Sequence, residues 1–394
     1  KTESMGSVLV LDGAQRSALA ITRSLGRAGI DVITAESAPT HLCSQSRYSR
    51  RSLIYPNPEA DCAAFIDCIR DLTTRYAIDL IIPVTDITTN ALVEHRAAFA
   101  GSTRLVVPDL ETYERLTDKY ALIQAARELG VPAPRSVLVD PTAGGALPAP
   151  PSWPVVLKPT RSRYRLQNRW LSTAVKIVET PEALAETVAA CSWFATHPYM
   201  MQECIAGEGQ GIFALYDRGE AVCFFAHRRI REKPPWGGVS VKSESVEPDP
   251  TLLAHARRIL DRVGWHGVAM IEYKVSADGT PYIMEVNTRF WGSLQLAIDS
   301  GVDFPLLVYR IAMGQPTQVL PKSRTGNRLR WFLGDVDSLY ISLKDRRYDA
   351  AGKLRALLDF LKPDFAATRH EVFRWDDPRP AWFELKQYFS IAAY

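Results

Sequence analysis

The stretch YIMEVNTRFWGS, residues 282–293, places a carboxylate, an amide and a guanidinium where a buried strand should be apolar throughout. Ile283, Met284 and Val286 suit such a strand, yet Glu285 and Asn287 stand two residues apart, on one face of the pleat. Upstream, HGVAMIEYKV (266–275) reads as a second strand, and Asp278-Gly279 between the two is a strong hairpin-turn signal. With that dipeptide as the turn centre, Glu272 faces Glu285 with Cβ atoms roughly 5 Å apart. Two ionised carboxylates that close repel unless a cation or a proton lies between them. With Asn287 they form a hard oxygen set suited to Mg²⁺ that also holds phosphates. They are equally the solvated glutamates of a half-exposed face, because a one-residue slip in register would separate them. Spacing alone leaves both readings open.

Other charged residues point the same way. Lys158 ends the apolar run PVVLKP, where an ammonium is costly unless it meets an anion. Lys119 follows Thr117 and Asp118 near a helix start, and Arg289 stands at the strand exit. Arg228, Arg229 and Arg231 cluster at another strand end, next to PPWGGVSVK (234–242). Of the three, Arg229 and Arg231 are candidates for binding a substrate. Trp236 and Trp291 read either as substrate contacts or as core. PVTD (83–86) ends a parallel strand, where α/β sheets place their ligands, which makes Asp86 a further candidate.

These residues need a scaffold, and the hydrophobic pattern supplies one. SVLVLDG (7–13), DVITAES (31–37), DLIIPVTD (79–86) and RLVVPD (104–109) read as strands, with helices over 14–30 and 64–78 between them. Alternation of this kind predicts an α/β protein opening with a Rossmann-like parallel sheet, residues 1–110. LDGAQRSA in the first turn lacks a GxGxxG fingerprint. A second domain spans 111–315. It begins with a helix stopped by Gly130 and Pro132, crosses a Pro/Gly/Ala-rich loop (141–154), and continues through a run of short strands read as antiparallel. Within it, 160–230 is expected to form a lid and 266–293 the carboxylate hairpin. Residues 316–394 read as a helical accessory segment rich in aromatics and arginine.

A chain of 394 residues has room for two or three cores. A formal charge of +3 gives no reason to expect a nucleic-acid partner, and no apolar run reaches the roughly 18 residues of a membrane span. The six cysteines form no CxxC, so neither a disulfide framework nor a zinc site is expected. KTESMGS (1–7) lacks a signal-peptide pattern, and a cytoplasmic protein is expected. No Ser-His-Asp or Cys-His constellation stands out.

The order Lys119, Lys158, Gln202-Glu203-Cys204-Ile205 with Gly207, Glu272 and Glu285-Val286-Asn287 resembles the ATP-grasp superfamily. EVNTRFWGS is its most specific piece, and the variant looks like the bacterial carboxylate–amine ligases of that superfamily. The resemblance implies an ATP-grasp fold over residues 7–315. Lys119 and Lys158 would contact ATP phosphates, and Gln202 would meet the adenine amino group. The backbone of Glu203 and Ile205 would line the base, and Glu208 would take the place of the ribose-binding glutamate. Glu272, Glu285 and Asn287 would hold one or two Mg²⁺ ions (Mn²⁺ substituting), with Arg289 and Asn287 serving catalysis. Asp86 would bind the amine. TRSRYRLQNRW (160–170) departs from the family's glycine-rich loop, and its arginines are either phosphate ligands or a solvated basic hairpin. The implied reaction joins a small carboxylate to an amine through an acyl phosphate. A phosphotransferase on a hydroxyl and a non-catalytic ATP-binding regulator are the rival readings. Relatives are often dimers, so a homodimer is also expected.

Overall fold

The computed structural model describes residues 6–392 except 102, 145, 162–163, 167–168, 172–173, 236, 318–322 and 363–367. The chain opens with β1 (Ser7–Val10), α1 (Arg16–Arg27), β2 (Asp31–Glu36), β3 (Arg51–Ile54), α2 (Cys62–Arg75), β4 (Leu80–Ile82) and α3 (Asp86–Glu94). The strands pair in parallel in the order β3-β2-β1-β4. β1 and β4 are apolar at every position because helices cover both faces, as a parallel sheet requires. The chain reverses its winding between β1 and β4. The Asp12 carboxylate bridges that point, accepting from the amides of Val84 (2.9 Å) and Thr85 (2.8 Å) and from the Thr88 hydroxyl (2.6 Å).

RLVVPD does not form the expected strand. Among the described residues it makes one bridge, Arg104 to Leu80. Val106 and Val107 alternate into two different cores, so the apolar pattern reflects burial without a ladder. The Val106 carbonyl instead rests against Gly267, where an added Cβ would lie 2.6 Å from it.

Two short helices follow, α4 (Leu110–Thr117) and α5 (Lys119–Glu128), where one had been expected. Asp118 divides them: it ends the first and caps the second by accepting from the Ala121 amide at 2.9 Å. The small lobe comprises β5 (Ser136–Val139), β6 (Val155–Pro159), the hairpin β7–β8 (Tyr164–Leu166, Arg169–Leu171), β9 (Lys176–Val178), α6 (Pro181–Ala190), α7 (Ser192–Thr196) and β10 (Tyr199–Glu203). Its sheet runs β5-β10-β6-β9.

The third sheet holds most of the remaining chain. Its strands are β11 (Glu208–Asp217), β12 (Glu220–Lys233), β13 (Val239–Val246), β14 (Gly267–Val275) and β15 (Pro281–Asn287), with α8 (Pro250–Val263) between β13 and β14. After α9 (Leu294–Asp299) and α10 (Phe304–Ala312), the C-terminal segment adds β16 (Arg328–Arg330), α11 (Phe332–Lys344), α12 (Ala350–Leu361), β17 (Thr368–His370) and α13 (Arg379–Ala392). Among the described residues the order is β15-β14-β11-β12-β13-β16-β17. Two expectations are thereby corrected. Residues 160–230 do not form one lobe, because β11 and β12 pair with the carboxylate hairpin rather than with β10. Nor is 316–394 wholly helical: two three-residue strands, too short to show a period, extend the large sheet.

The C-terminal segment also clamps the N-terminal sheet. Arg23 of α1, fully buried, donates to the Asp377 carboxylate (2.9 Å) and to the carbonyls of Val372 (2.8 Å) and Asp377 (2.9 Å). Asp377 in turn accepts from the Ser46 hydroxyl and the Arg47 amide. Removing one member of a buried, hydrogen-bonded charge pair leaves the other charge without compensation. Arg23→Ala should therefore destabilise the protein by about 3–5 kcal/mol, read from the denaturant midpoint at constant slope.

Candidate active site

The hairpin β14–β15 pairs Glu272 with Glu285, as the turn argument expects, but by a different route. The tight loop has three residues, 277–279, closed by a bond from the Ser276 amide to the Thr280 carbonyl, with Gly279 at φ 86°. That shifts the register by one near the turn, and a bulge at Met284 shifts it back, so the two carboxylates meet.

Lys119, at the start of α5, ion-pairs with Glu285, and Arg229 of β12 lies 3.5 Å from Glu272. Asn287 donates to Glu272 (3.1 Å) and Glu285 (3.4 Å). Arg289 reaches the Asn287 side-chain oxygen (3.4 Å) and ion-pairs with Asp86 at 2.8 Å. The Lys119 ammonium holds the Glu285 carboxyl down to about 2. Burial, together with the charge of Glu285, pushes Glu272 up. One carboxylate is thus firmly ionised while the other lacks sufficient positive charge. A divalent cation would relieve that imbalance, and two carboxylates with an amide oxygen suit Mg²⁺. The residues fit the ion.

On the small lobe, Lys158 donates to the Gln202 side-chain oxygen at 2.7 Å, and the Gln202 amide donates to Ser136 Oγ at 3.1 Å. Gln202 is fully buried with both ends engaged inside the lobe, so the expected contact with an adenine amino group is not how it is arranged here. Glu203 is paired to Arg135 at 3.2 Å and its amide to the Arg135 carbonyl. The Ile205 carbonyl accepts from Lys274 at 3.2 Å. Gly207 packs so close to Val275 that a Cβ would come within 2.2 Å of its carbonyl oxygen. Glu208 is exposed at the start of β11.

Arg231 departs from its expected place. It makes two hydrogen bonds to the buried Asp335 of α11 (2.6 and 2.5 Å), away from the carboxylates. Arg229 and Arg231 would share a face in a regular strand. Register shifts on both sides of Arg231 set Arg229 opposite Ser243 and Arg231 opposite Lys242, and so on opposite faces. Trp291 is core, stacked on Phe213 (4.4 Å) and Phe304 (4.9 Å), while Trp236 lies outside the described residues. The 160–170 stretch does form a hairpin. Arg161 pairs with Glu114 at 3.1 Å, and Trp170 donates to the Pro58 carbonyl of the N-terminal sheet at 3.3 Å. The side chains of 162–169 lie outside the described residues.

Two cavities meet at this site. One, of about 200 Å³, is lined by Lys119, Arg161, Glu285 and Asn287 together with Asp86, Asn90 and Glu94 of α3. The other, of about 450 Å³, lies over the ends of β1 and β4 and includes Tyr55, Thr85, Asp86 and Arg289. Asp86 lines both. Asn90 and Glu94 escaped the sequence reading because α3 did, although the spacing of Asp86, Asn90 and Glu94, four residues apart, was there to be read.

Residues 195–334 match a family described as ATP-grasp in the biosynthetic pathway with Ter operon. A curated relative, pyruvate carboxylase 1 of Caenorhabditis elegans, is 26% identical over 280 residues, 66% of this chain. The chain spans 23% of that relative's length. Among solved structures, L-amino acid ligase from Bacillus licheniformis is 17% identical with a TM-score of 0.58, covering 79% of this chain and 75% of its own. Biotin carboxylase from Campylobacter jejuni, solved as a β,γ-ATP complex, is 17% identical with a TM-score of 0.61, covering 82% and 74%. The biotin carboxylase domain dimer of Hydrogenobacter thermophilus 2-oxoglutarate carboxylase, in complex with MgADP, ADP and bicarbonate, is 16% identical at 0.61, covering 82% and 73%. Fold and family match together make this chain an ATP-grasp protein. No described helix is long and apolar enough to cross a membrane.

Burial and the nearby Lys119 charge pull Lys158 down to about 8. An anionic phosphate favours its charged form, so above that pH nucleotide binding must take up a proton. If Lys158 binds phosphate, affinity for MgATP should fall about tenfold from about pH 7 to about pH 9. Lys158→Met should flatten that dependence, as measured by calorimetry in buffers of different ionisation enthalpy.

Proposed function

We propose that this ATP-grasp protein is a carboxylate–amine ligase that forms an amide or peptide bond through an acyl phosphate, releasing ADP and phosphate. The observation that carries the reading is the enclosed Glu272–Glu285 pair. It is ringed by Lys119, Arg229 and Arg289 and set where a phosphate-sized cavity meets one at the ends of the parallel strands.

A free carboxylate resists amines because it is anionic and lacks a good leaving group. In the first step its oxygen attacks the γ-phosphorus, the bond to the bridging oxygen breaks, and ADP leaves. In the second the amine nitrogen attacks the acyl carbon, the C–O bond to phosphate breaks, and the nitrogen gives up a proton. Both steps demand positioning and charge neutralisation rather than a nucleophilic side chain. Lys119 and Lys158 are placed to receive phosphate oxygens. Arg289, oriented by Asp86, lies where the transferring group and the acyl phosphate would carry charge. Mg²⁺, or Mn²⁺ in its place, would be held by Glu272, Glu285 and Asn287 and would neutralise phosphate charge. Ile205 and Glu203 lie at the edge of the small lobe as lining for the base, with Glu208 nearby for the ribose. The small lobe would shield the acyl phosphate from water. A cytoplasmic homodimer completes the proposal.

The test is release of ADP and phosphate from MgATP with pooled carboxylic acids and amines. Release should require both an acid and an amine, and should fall at least about 100-fold in Glu285→Gln, as loss of a charge acting on the transition state would cause. ADP formed with a hydroxyl compound alone would make the protein a phosphotransferase. Failure to bind MgATP would overturn the reading.

A further inference from the structure

The smaller cavity has a wall that the ligase reading leaves without a role. Asp86, Asn90 and Glu94 fall four residues apart along α3 and line the cavity together, facing Glu285, Asn287 and Lys119 on the opposite wall. At 1.5 Å of rise per residue the three span about 12 Å of helix. The opposite wall supplies cations for phosphate, whereas this one supplies two carboxylates and an amide. The Asn90 side-chain oxygen is buried and meets no donor in the protein. An unsatisfied buried acceptor costs roughly 1–3 kcal/mol and is retained where a ligand supplies the missing donor. Asp86 gives one oxygen to Arg289, which leaves its second oxygen for another donor.

We propose that this face of α3 binds the amine substrate as a primary ammonium, seated between Asp86 and Asn90, and that Glu94 favours a second cationic or hydrogen-bond-donating group further along the molecule. The inference rests on the ligase reading and adds a substrate class to it: diamines or basic amino acids over simple alkylamines. An ammonium between Asp86 and Asn90 lies beside Arg289, so once deprotonated its nitrogen is close to the acyl carbon. A hydroxyl nucleophile offers one donor and no positive charge, and therefore gains less from this wall. Asn90 and Glu94 are specificity residues in this scheme, and Asp86 also positions Arg289.

The experiment compares two products made from the same activated acid. Hydroxylamine, small and uncharged at neutral pH, traps an acyl phosphate as the hydroxamate without needing an ammonium site. Lysine, ornithine, cadaverine and butylamine are offered in parallel, and the ratio of amide to hydroxamate is measured. In the wild type the dibasic amines should outcompete butylamine. Asn90→Leu should lower the amide-to-hydroxamate ratio about tenfold, the loss of one charge-assisted hydrogen bond. Asn90→Asp, which keeps an acceptor, should restore it, and Glu94→Gln should erase the preference for dibasic amines. An unchanged ratio in Asn90→Leu and Glu94→Gln, or no preference for dibasic amines in the wild type, would overturn the proposal. Absence of hydroxamate in the wild type would sink the ligase reading itself.

Discussion

Two carboxylates on neighbouring strands cannot remain charged out of water without positive charge around them, and much of this architecture meets that demand. Lys119 arrives from the first turn of α5, Arg229 from β12 and Arg289 from the exit of β15. Each comes from a different element, so the electrostatic balance of the pair depends on the large sheet, the helical entry to the small lobe and the N-terminal sheet at once. The balance is also unequal: Glu285 is held firmly ionised by Lys119, while Glu272 is pushed toward its neutral form. A preorganised site of this kind supplies its field before substrates arrive.

The N-terminal sheet carries the other half of the arrangement. Its reversal of winding between β1 and β4 opens a crevice at the strand ends. Asp12 fastens the two loops that form the floor, and Asp86, one residue beyond, ties that floor to Arg289. The link crosses 203 residues of sequence, from the start of α3 to the end of the hairpin.

Much of this was legible before the structure. Apolar strands alternating with helices gave the α/β architecture, and Glu285, Asn287 and Arg289 announced themselves as polar intrusions into a buried strand. The facing of Glu272 and Glu285 was inferred correctly from a wrong turn: the three-residue loop and the bulge at Met284 cancel. Bulges are where pattern reading fails, because they change which face a residue occupies without changing the sequence period. Arg231 shows the same failure without the cancellation. Helix α3 was hidden by its two threonines and by its position directly after a strand, which concealed Asn90 and Glu94. The roles of β16 and β17 could not be read, since three-residue strands carry no periodicity and are defined by the partners they meet.

The buried Arg23 has a bearing on how the chain comes together. It lies in the first thirty residues, yet the carboxylate and carbonyls that satisfy it belong to residues 371–377, among the last to be synthesised. A guanidinium cannot be sealed into an apolar interior alone, so that face of α1 must stay hydrated until the far end of the chain arrives. The N-terminal sheet is therefore first to be made and among the last to be finished, and a chain truncated before residue 371 would leave its first helix unsealed.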